Sequence, residues 1–287
     1  ALNASFIAPH FPLVVPQRFY DLYPLNAIDM PNIPDGHLQS QHPVHQRMRA
    51  MFGAVDFPED QVRKARAAYY GLITYLDEKI GRLLQVLEET GQRDNTMIVH
   101  FSDHGEMNGE HGMWRKSSLY EASARVPLQI SWPGQIPPGQ RFEEVVSLVD
   151  MVATFVDASG ADSPTPLDGD SLLGLMQGHD PDWKDEAFCE YLAHGVQRPT
   201  AMLRQGPHKL HYSLGDEPQL YDIEADPDEF DDLSQDPRHA ETLASLQEQL
   251  HADWDAEVIE KQVLQNQQER LLIERSIRPE RNRLAPT

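Results

Sequence analysis

Asp103, His104, Glu106, Glu110, His111 and Lys116 fall within one short stretch, SDHGEMNGEHGMWRK, with an apolar run on each side. A carboxylate supplies a hard oxygen and an imidazole a borderline nitrogen, so Asp103 and His104 suit a divalent cation, although two ligands are too few to hold one. Gly105 lets the backbone turn sharply beside them. Lys116 is a mobile point charge that suits a sulfate or phosphate oxygen. A cation and an oxyanion held together is what hydrolysis of a sulfate or phosphate ester requires. By composition alone, a solvated charged loop with a helix cap accounts for the same residues equally well.

The elements on either side must position this loop. From Pro58 to Gly91, apolar residues recur at Val62, Ala65, Tyr69, Leu72, Leu76, Ile80, Leu83 and Leu87, which predicts one long helix with a single buried face. Pro58 and Gly91 are its start and stop signals. NTMIVHFS follows as a short apolar run, expected to be a buried parallel strand, and ARVPLQISWPG as the next strand. EEVVSLVDMVATFVDASG reads as a helix ending at Gly160. Alternating strands and helices predict an α/β layered domain, whose strand carboxyl ends are where ligands bind.

Residues 1–57 are proline-rich and read as an irregular loop, with His42 and His45 as surface histidines. After about residue 185 the pattern changes to short strands joined at Gly206-Pro207 and Gly215-Asp216, which predicts a small antiparallel sheet. RHAETLASLQEQLHADWDAEV is helical, and the polar tail beyond it is partly helical. Leu264 and Leu271 stand one heptad apart, but Arg278 takes the next position, so coiled-coil pairing is weakly encoded. The expected divisions are 1–180, 181–255 and a tail at 256–287 that can serve as a homo-oligomer contact. Cys189, the single cysteine, excludes an internal disulfide and reads as a buried structural thiol in a strand.

The chain has 287 residues, of which 40% are apolar, enough for a real core. Its formal net charge of -22 repels nucleic acid and anionic membrane surfaces. No apolar run is long enough to span a bilayer.

FSDHGEMNGEHGMWRKSSLYEASARVPLQISWPG resembles the C-terminal metal-binding segment of the sulfatase family, within the alkaline phosphatase superfamily. The shared order is Ser-Asp-His-Gly-Glu, Gly-Glu-His-Gly, a lysine, Tyr-Glu, Arg-Val-Pro-Leu and Pro-Gly. SFIAPHFPLVVPQRFYDLY is similar to the segment that brings a catalytic histidine, here His10. The long helix with its following strand, LDGDSLLGLM and QLYDIEADPDEFDDLS extend the resemblance over about 1–240. It implies an alkaline-phosphatase-like layered sheet with a small antiparallel subdomain. It also implies Asp103 and His104 as metal ligands, with calcium, manganese or magnesium as the ion. Lys116 would bind an ester oxygen, and His10 would contact the sulfate or protonate the leaving group. Glu106 and His111 would shape the loop or touch substrate.

The family's nucleophile is a formylglycine made from Cys or Ser in a Cys/Ser-x-Pro/Ala-x-Arg motif. Cys189 is followed by Glu190, Tyr191 and Leu192 and does not match. No early Asp-Asp pair occurs either; Asp231-Asp232 comes late. The nucleophile and further acidic ligands are therefore expected in sequence ahead of Ala1. The resemblance implies a metal-dependent hydrolase of small sulfate esters, with specificity partly in the loop 26–56. A phosphonate monoester or phosphodiester hydrolase on the same scaffold is the first alternative, favoured by His104 where many members carry asparagine. A catalytically inactive fragment acting as an interaction module is the second.

Overall fold

The computed structural model describes residues 1–53, 57–163, 165–179 and 182–277, and the chain divides into two units, Ala1–Lys184 and Asp185–Thr287. Arg278, the tail beyond it and residues 54–56 of the loop 26–56 lie outside the described residues.

The first unit contains α1 (Gln17–Tyr20), α2 (His37–Ser40), α3 (Pro43–Met51), α4 (Glu59–Glu89), β1 (Ile98–Phe101), α5 (Glu121–Ala124), β2 (Leu128–Ser131), α6 (Asp150–Ser159) and α7 (Leu173–Met176). Pro58 occupies the N-cap position of α4, and Glu59 and Asp60 place negative charge against its positive end. Beyond its other end, Gly91 takes a left-handed turn at φ 65°. Val62 and Leu72 are buried as the periodicity requires, Ala65 and Tyr69 are only half-buried, and Ala67 and Ala68, outside that spacing, are buried as well. α1 packs across this part so closely that a Cβ on Gly71 would stand 3.2 Å from the Phe19 carbonyl oxygen. The expected continuous buried face ends there. Leu83 and Val86 are exposed, because the contacts of α1 and the turn at Leu25–Ala27 fall between Arg63 and Glu78.

β1 and β2 pair antiparallel, with Ile98 opposite Ser131 and Phe101 opposite Leu128. This corrects the expected buried parallel strand. The connection between them carries no α-helix longer than the four-residue α5, so the chain folds back on itself instead of making the crossover that parallel pairing needs. The strands are half-buried, with Phe101 exposed, and Val99, Leu128 and Ile130 pack on Met151, Leu172, Leu173 and Met176 of the α6–α7 region. α6 begins at Asp150, seven residues later than the apolar run suggested. The reason is Asp150 itself: its fully buried carboxylate accepts from the Ser147 and Asp170 N–H groups and pairs with Lys184 at 2.8 Å. Gly160 ends α6 in the left-handed region at φ 64°, as expected.

The reading of residues 1–57 as irregular also needs correction. α3 is a nine-residue helix with Pro43 in its first turn, and His45 is buried in it.

The second unit is a four-stranded antiparallel sheet in the order β3 (Glu186–Tyr191), β4 (Thr200–Gln205), β5 (His208–Ser213), β6 (Gln219–Asp222). Gly206 and Pro207 make the tight turn between β4 and β5. α8 (Ala240–Asp253) covers one face, and Leu246, Leu250 and Trp254 meet Ala201, Leu203, Leu210 and Leu220. Trp254 drops into this core and breaks the helix, and Asp255 starts α9 (Ala256–Ile277) by accepting from the Glu257 and Val258 N–H groups. Leu264, Leu271, Leu272, Ile273 and Ile277 of α9 are exposed. Cys189 faces Met202 across the sheet and is only half-buried, against the expectation of a fully buried thiol. Its surroundings still push the thiol pKa up by desolvation. Among the described residues no helix is long and apolar enough to cross a membrane.

Candidate active site

His10 and Lys116 meet, although 106 positions separate them, with the lysine ammonium donating to His10 Nε2. The other ring nitrogen fixes the roles. His10 Nδ1 lies 2.6 Å from the Phe11 carbonyl oxygen, which can only accept, so the proton sits on Nδ1 and Nε2 presents a lone pair. The His10 and His104 rings lie 5.8 Å apart, and His104 Nε2 lies 3.7 Å from Asp103. Four residues expected to act together are thus one constellation at the carboxyl end of β1. Phe101 ends that strand, and the chain just beyond it delivers the carboxylate and the imidazole.

His104 Nδ1 lies 2.7 Å from the Gly105 carbonyl, which again puts the proton on Nδ1 and leaves the Nε2 lone pair toward Asp103. Histidines that bind metals are oriented in this way, with the far N–H tied to a carbonyl or carboxylate. The Asp103 side chain is 86% exposed and its carboxylate is open to a ligand. The pair therefore fits a divalent cation as part of a donor set. It is not a whole set: no group of three or more His, Cys, Asp and Glu able to hold a metal occurs among the described residues.

The loop from Gly105 to Arg115 is strained and tightly held. Asn108, His111 and Arg115 all take positive φ, at 47°, 52° and 73°. Such conformations persist only where the surroundings over-determine them. Gly105 donates to the Ser123 carbonyl at 2.7 Å, and a Cβ there would collide with the Ala122 carbonyl oxygen. Glu106 Oε1 accepts from the Asn108 and Arg115 N–H groups at 3.3 and 2.5 Å. Its charge, after the larger effect of burial, helps to push the Tyr69 hydroxyl up to about 12. His111 is buried and stacks flat on Tyr120 at 3.8 Å, with His45 on Tyr120 at 4.3 Å. His37 Nε2 lies 2.9 Å from His111 Nδ1, and burial followed by the Arg49 charge pulls the His37 imidazole below its ordinary value. The contacts of Glu106 and His111 are thus those of residues that hold a loop.

Two buried arginines complete the support and were not anticipated. Arg66 donates to the Asn108 carbonyl at 3.0 Å and pairs with Glu110 and Asp29. Arg49 donates to the Gly112 carbonyl at 3.3 Å, and Gln41 to the His111 carbonyl at 3.2 Å. Arg66 did carry a signal: it stands four residues after Val62, on the apolar face of α4, where a charge needs a partner. Arg49 falls in a proline-rich segment with the character of a loop, so its sequence position offers nothing.

The sulfatase family pattern matches residues 2–161, and that of the C-terminal region of N-sulphoglucosamine sulphohydrolase matches 109–255. The chain is 35% identical over 285 residues to a choline-sulfatase of Rhizobium meliloti, covering 96% of this chain and 55% of that protein. It is 32% identical to an arylsulfatase of Clostridium perfringens, covering 85% and 51%. Among solved structures, the phosphonate monoester hydrolase of Silicibacter pomeroyi superposes with a TM-score of 0.76 at 30% identity, over 85% of this chain and 53% of that one. The chain spans about half the length of the relatives it matches. Its fold is that of the alkaline-phosphatase-like enzymes. With His10, Lys116, Asp103 and His104 drawn together inside the matched region, the chain belongs to the sulfatase family.

Proposed function

We propose that this chain forms part of a hydrolase of small sulfate esters. The observation that carries the reading is the convergence of Lys116 and His10, 106 positions apart within the matched region, beside the Asp103–His104 pair. The relatives named for sulfate ester hydrolysis support it.

A divalent cation, calcium first and manganese or magnesium as alternatives, and a formylglycine complete the proposed reaction. When bound they supply charge neutralisation and the attacking oxygen. Asp103 and His104 would hold their share of the cation. The Lys116 ammonium donates to an ester oxygen and offsets charge that grows there as the bond to sulfur breaks, the kind of effect worth about 10²- to 10³-fold in rate. His10, once protonated at Nε2 from solvent, would give that proton to the departing alcohol oxygen or contact the sulfate, while the bond from Nδ1 to the Phe11 carbonyl holds the ring. The loop-holding residues Glu106 and His111 keep Lys116 in register.

The test is sulfate release from phenyl sulfate by the full-length protein, with Lys116→Ala and His10→Ala beside it. The expected result is turnover that falls about 100-fold or more in each variant. Faster cleavage of a phenyl phosphonate monoester than of phenyl sulfate would move the assignment to the phosphonate hydrolases, which the structural neighbour and His104 favour as second reading. Turnover of neither ester would sink the hydrolase reading and leave the interaction module.

A further inference from the structure

Among the described residues, Arg115 is a cation without an anion. In a chain with 46 acidic and 24 basic residues, arginines find carboxylates easily. Arg18, Arg63, Arg66, Arg141, Arg198 and Arg238 all do so. Among the described residues the Arg115 guanidinium has no such partner. It lies instead over two aromatic rings, 4.7 Å from the centre of Phe11 and 5.5 Å from that of Phe52.

Its neighbour shares this state. Lys116 meets His10 and the Phe11 ring, at 5.2 Å, and likewise no carboxylate among the described residues. Phe11 is therefore flanked by two cations, and it is the residue whose carbonyl orients His10. Both charges stand within the span of one small organic ester.

The position of Arg115 is also fixed from behind. Its φ is 73°, its N–H donates to Glu106, and its carbonyl accepts from the Met107 N–H at 2.7 Å. Strain held by two backbone hydrogen bonds at the edge of a reactive site is a reason to ask what the side chain does. Aromatic faces satisfy the charge of a guanidinium but accept none of its paired hydrogen bonds, so its N–H donors stay available to a carboxylate or sulfate.

We infer that Arg115 is a specificity residue that reads a second anionic group, a carboxylate or a second sulfate, on the alcohol portion of the ester. The inference rests on the hydrolase reading above. Lys116 serves the sulfate that is cleaved, and Arg115 serves the group that stays. The same arrangement disfavours a cationic alcohol. A quaternary ammonium would seek the Phe11 and Phe52 faces and find a guanidinium on them, so like charge excludes it.

The experiment compares kcat/KM of the full-length protein for 3-carboxyphenyl sulfate, phenyl sulfate and choline sulfate, in the wild type and in Arg115→Ala, Arg115→Lys and Arg115→Glu. All three variants keep a Cβ, so the positive φ costs them what it costs arginine. Thermal melting of each variant checks that it is folded. The expected result is that Arg115→Ala lowers the preference for the carboxylated over the plain ester about tenfold, mainly through KM, since a charged hydrogen bond is lost. Arg115→Lys restores part of the preference, and Arg115→Glu reverses it and improves choline sulfate. Equal losses on both aryl esters in Arg115→Ala, or a wild type that prefers choline sulfate, would overturn the inference and leave the hydrolase reading intact. A wild type that cleaves none of the three esters would overturn both.

Discussion

Lys116 and His10 show a residue's chemistry set jointly by a distant partner and by an adjacent carbonyl. The ammonium needs an acceptor, and the one it finds arrives on a different segment of chain. The imidazole can accept because its other nitrogen is committed to a carbonyl. Tyr69 illustrates the reverse case, a group shaped by the site without belonging to it. Burial, and then the Glu106 charge, push its hydroxyl from 10.0 to about 12. The sign follows from linkage. A raised value means that the unfolded chain gives up this proton first, so its contribution is fully present below pH 10 and is lost as pH rises toward 12. Urea unfolding between those values is expected to show the wild type losing about 1–2 kcal/mol more than Tyr69→Phe, after discounting for partial exposure. Identical slopes in the two proteins would contradict this account. Asp103 belongs here too. Calcium is expected to raise the melting temperature of the full-length protein, and Asp103→Asn to remove most of that rise, because a ligand that binds only the folded state stabilises it by mass action.

The reactive loop owes its shape to the elements around it. Gly105 lies against the Ala122 carbonyl, Arg66 of α4 and Arg49 of α3 hold carbonyls at Asn108 and Gly112, and Glu106 ties two N–H groups together. Gly105→Ala is expected to destabilise the protein by about 2–3 kcal/mol, since the clash is with backbone that cannot swing away. Activity should fall further than stability predicts, because the displaced chain carries His104. Chemical denaturation and turnover measured on the same preparation would check both. A variant with unchanged melting and unchanged turnover would show that the contact yields easily. The antiparallel pairing of β1 and β2 follows from the same loop. With only the four-residue α5 between the strands, the connection makes no crossover for a parallel partner.

Over the whole molecule, two units carry separate cores. In the second, Leu210 is fully buried among Ala201, Leu203, Leu220 and Leu246. Leu210→Ala is expected to cost about 3 kcal/mol in urea unfolding, from lost transfer energy and the cavity left behind. A cost below about 1 kcal/mol would mean that the sheet and α8 close over the gap. The same unit buries Lys209 against Glu229 at 2.9 Å. Buried pairs of this kind tolerate joint replacement better than loss of one partner. The large negative charge of the chain has a local exception where it matters. The side-chain charges of Lys116 and Arg115 stand beside each other with no carboxylate paired to either among the described residues, a cationic spot that favours an anionic substrate within an acidic chain.

The three-and-four spacing of α4, its proline and glycine limits, the antiparallel hairpins of the second unit and the motif order from Ser102 to Gly134 are all legible in the sequence, because they are local properties. They follow from side-chain periodicity, fixed φ angles and turn chemistry, which neighbouring residues determine among themselves. Tertiary structure alone decided the rest. It brought His10 to Lys116, buried His45 against Tyr120, set Arg49 and Arg66 behind the loop and paired β1 with β2 antiparallel. Each of these joins groups far apart in the chain. Which carbonyl a buried arginine finds, or which lysine a histidine meets, depends on how packed elements fill space, and no local pattern encodes that.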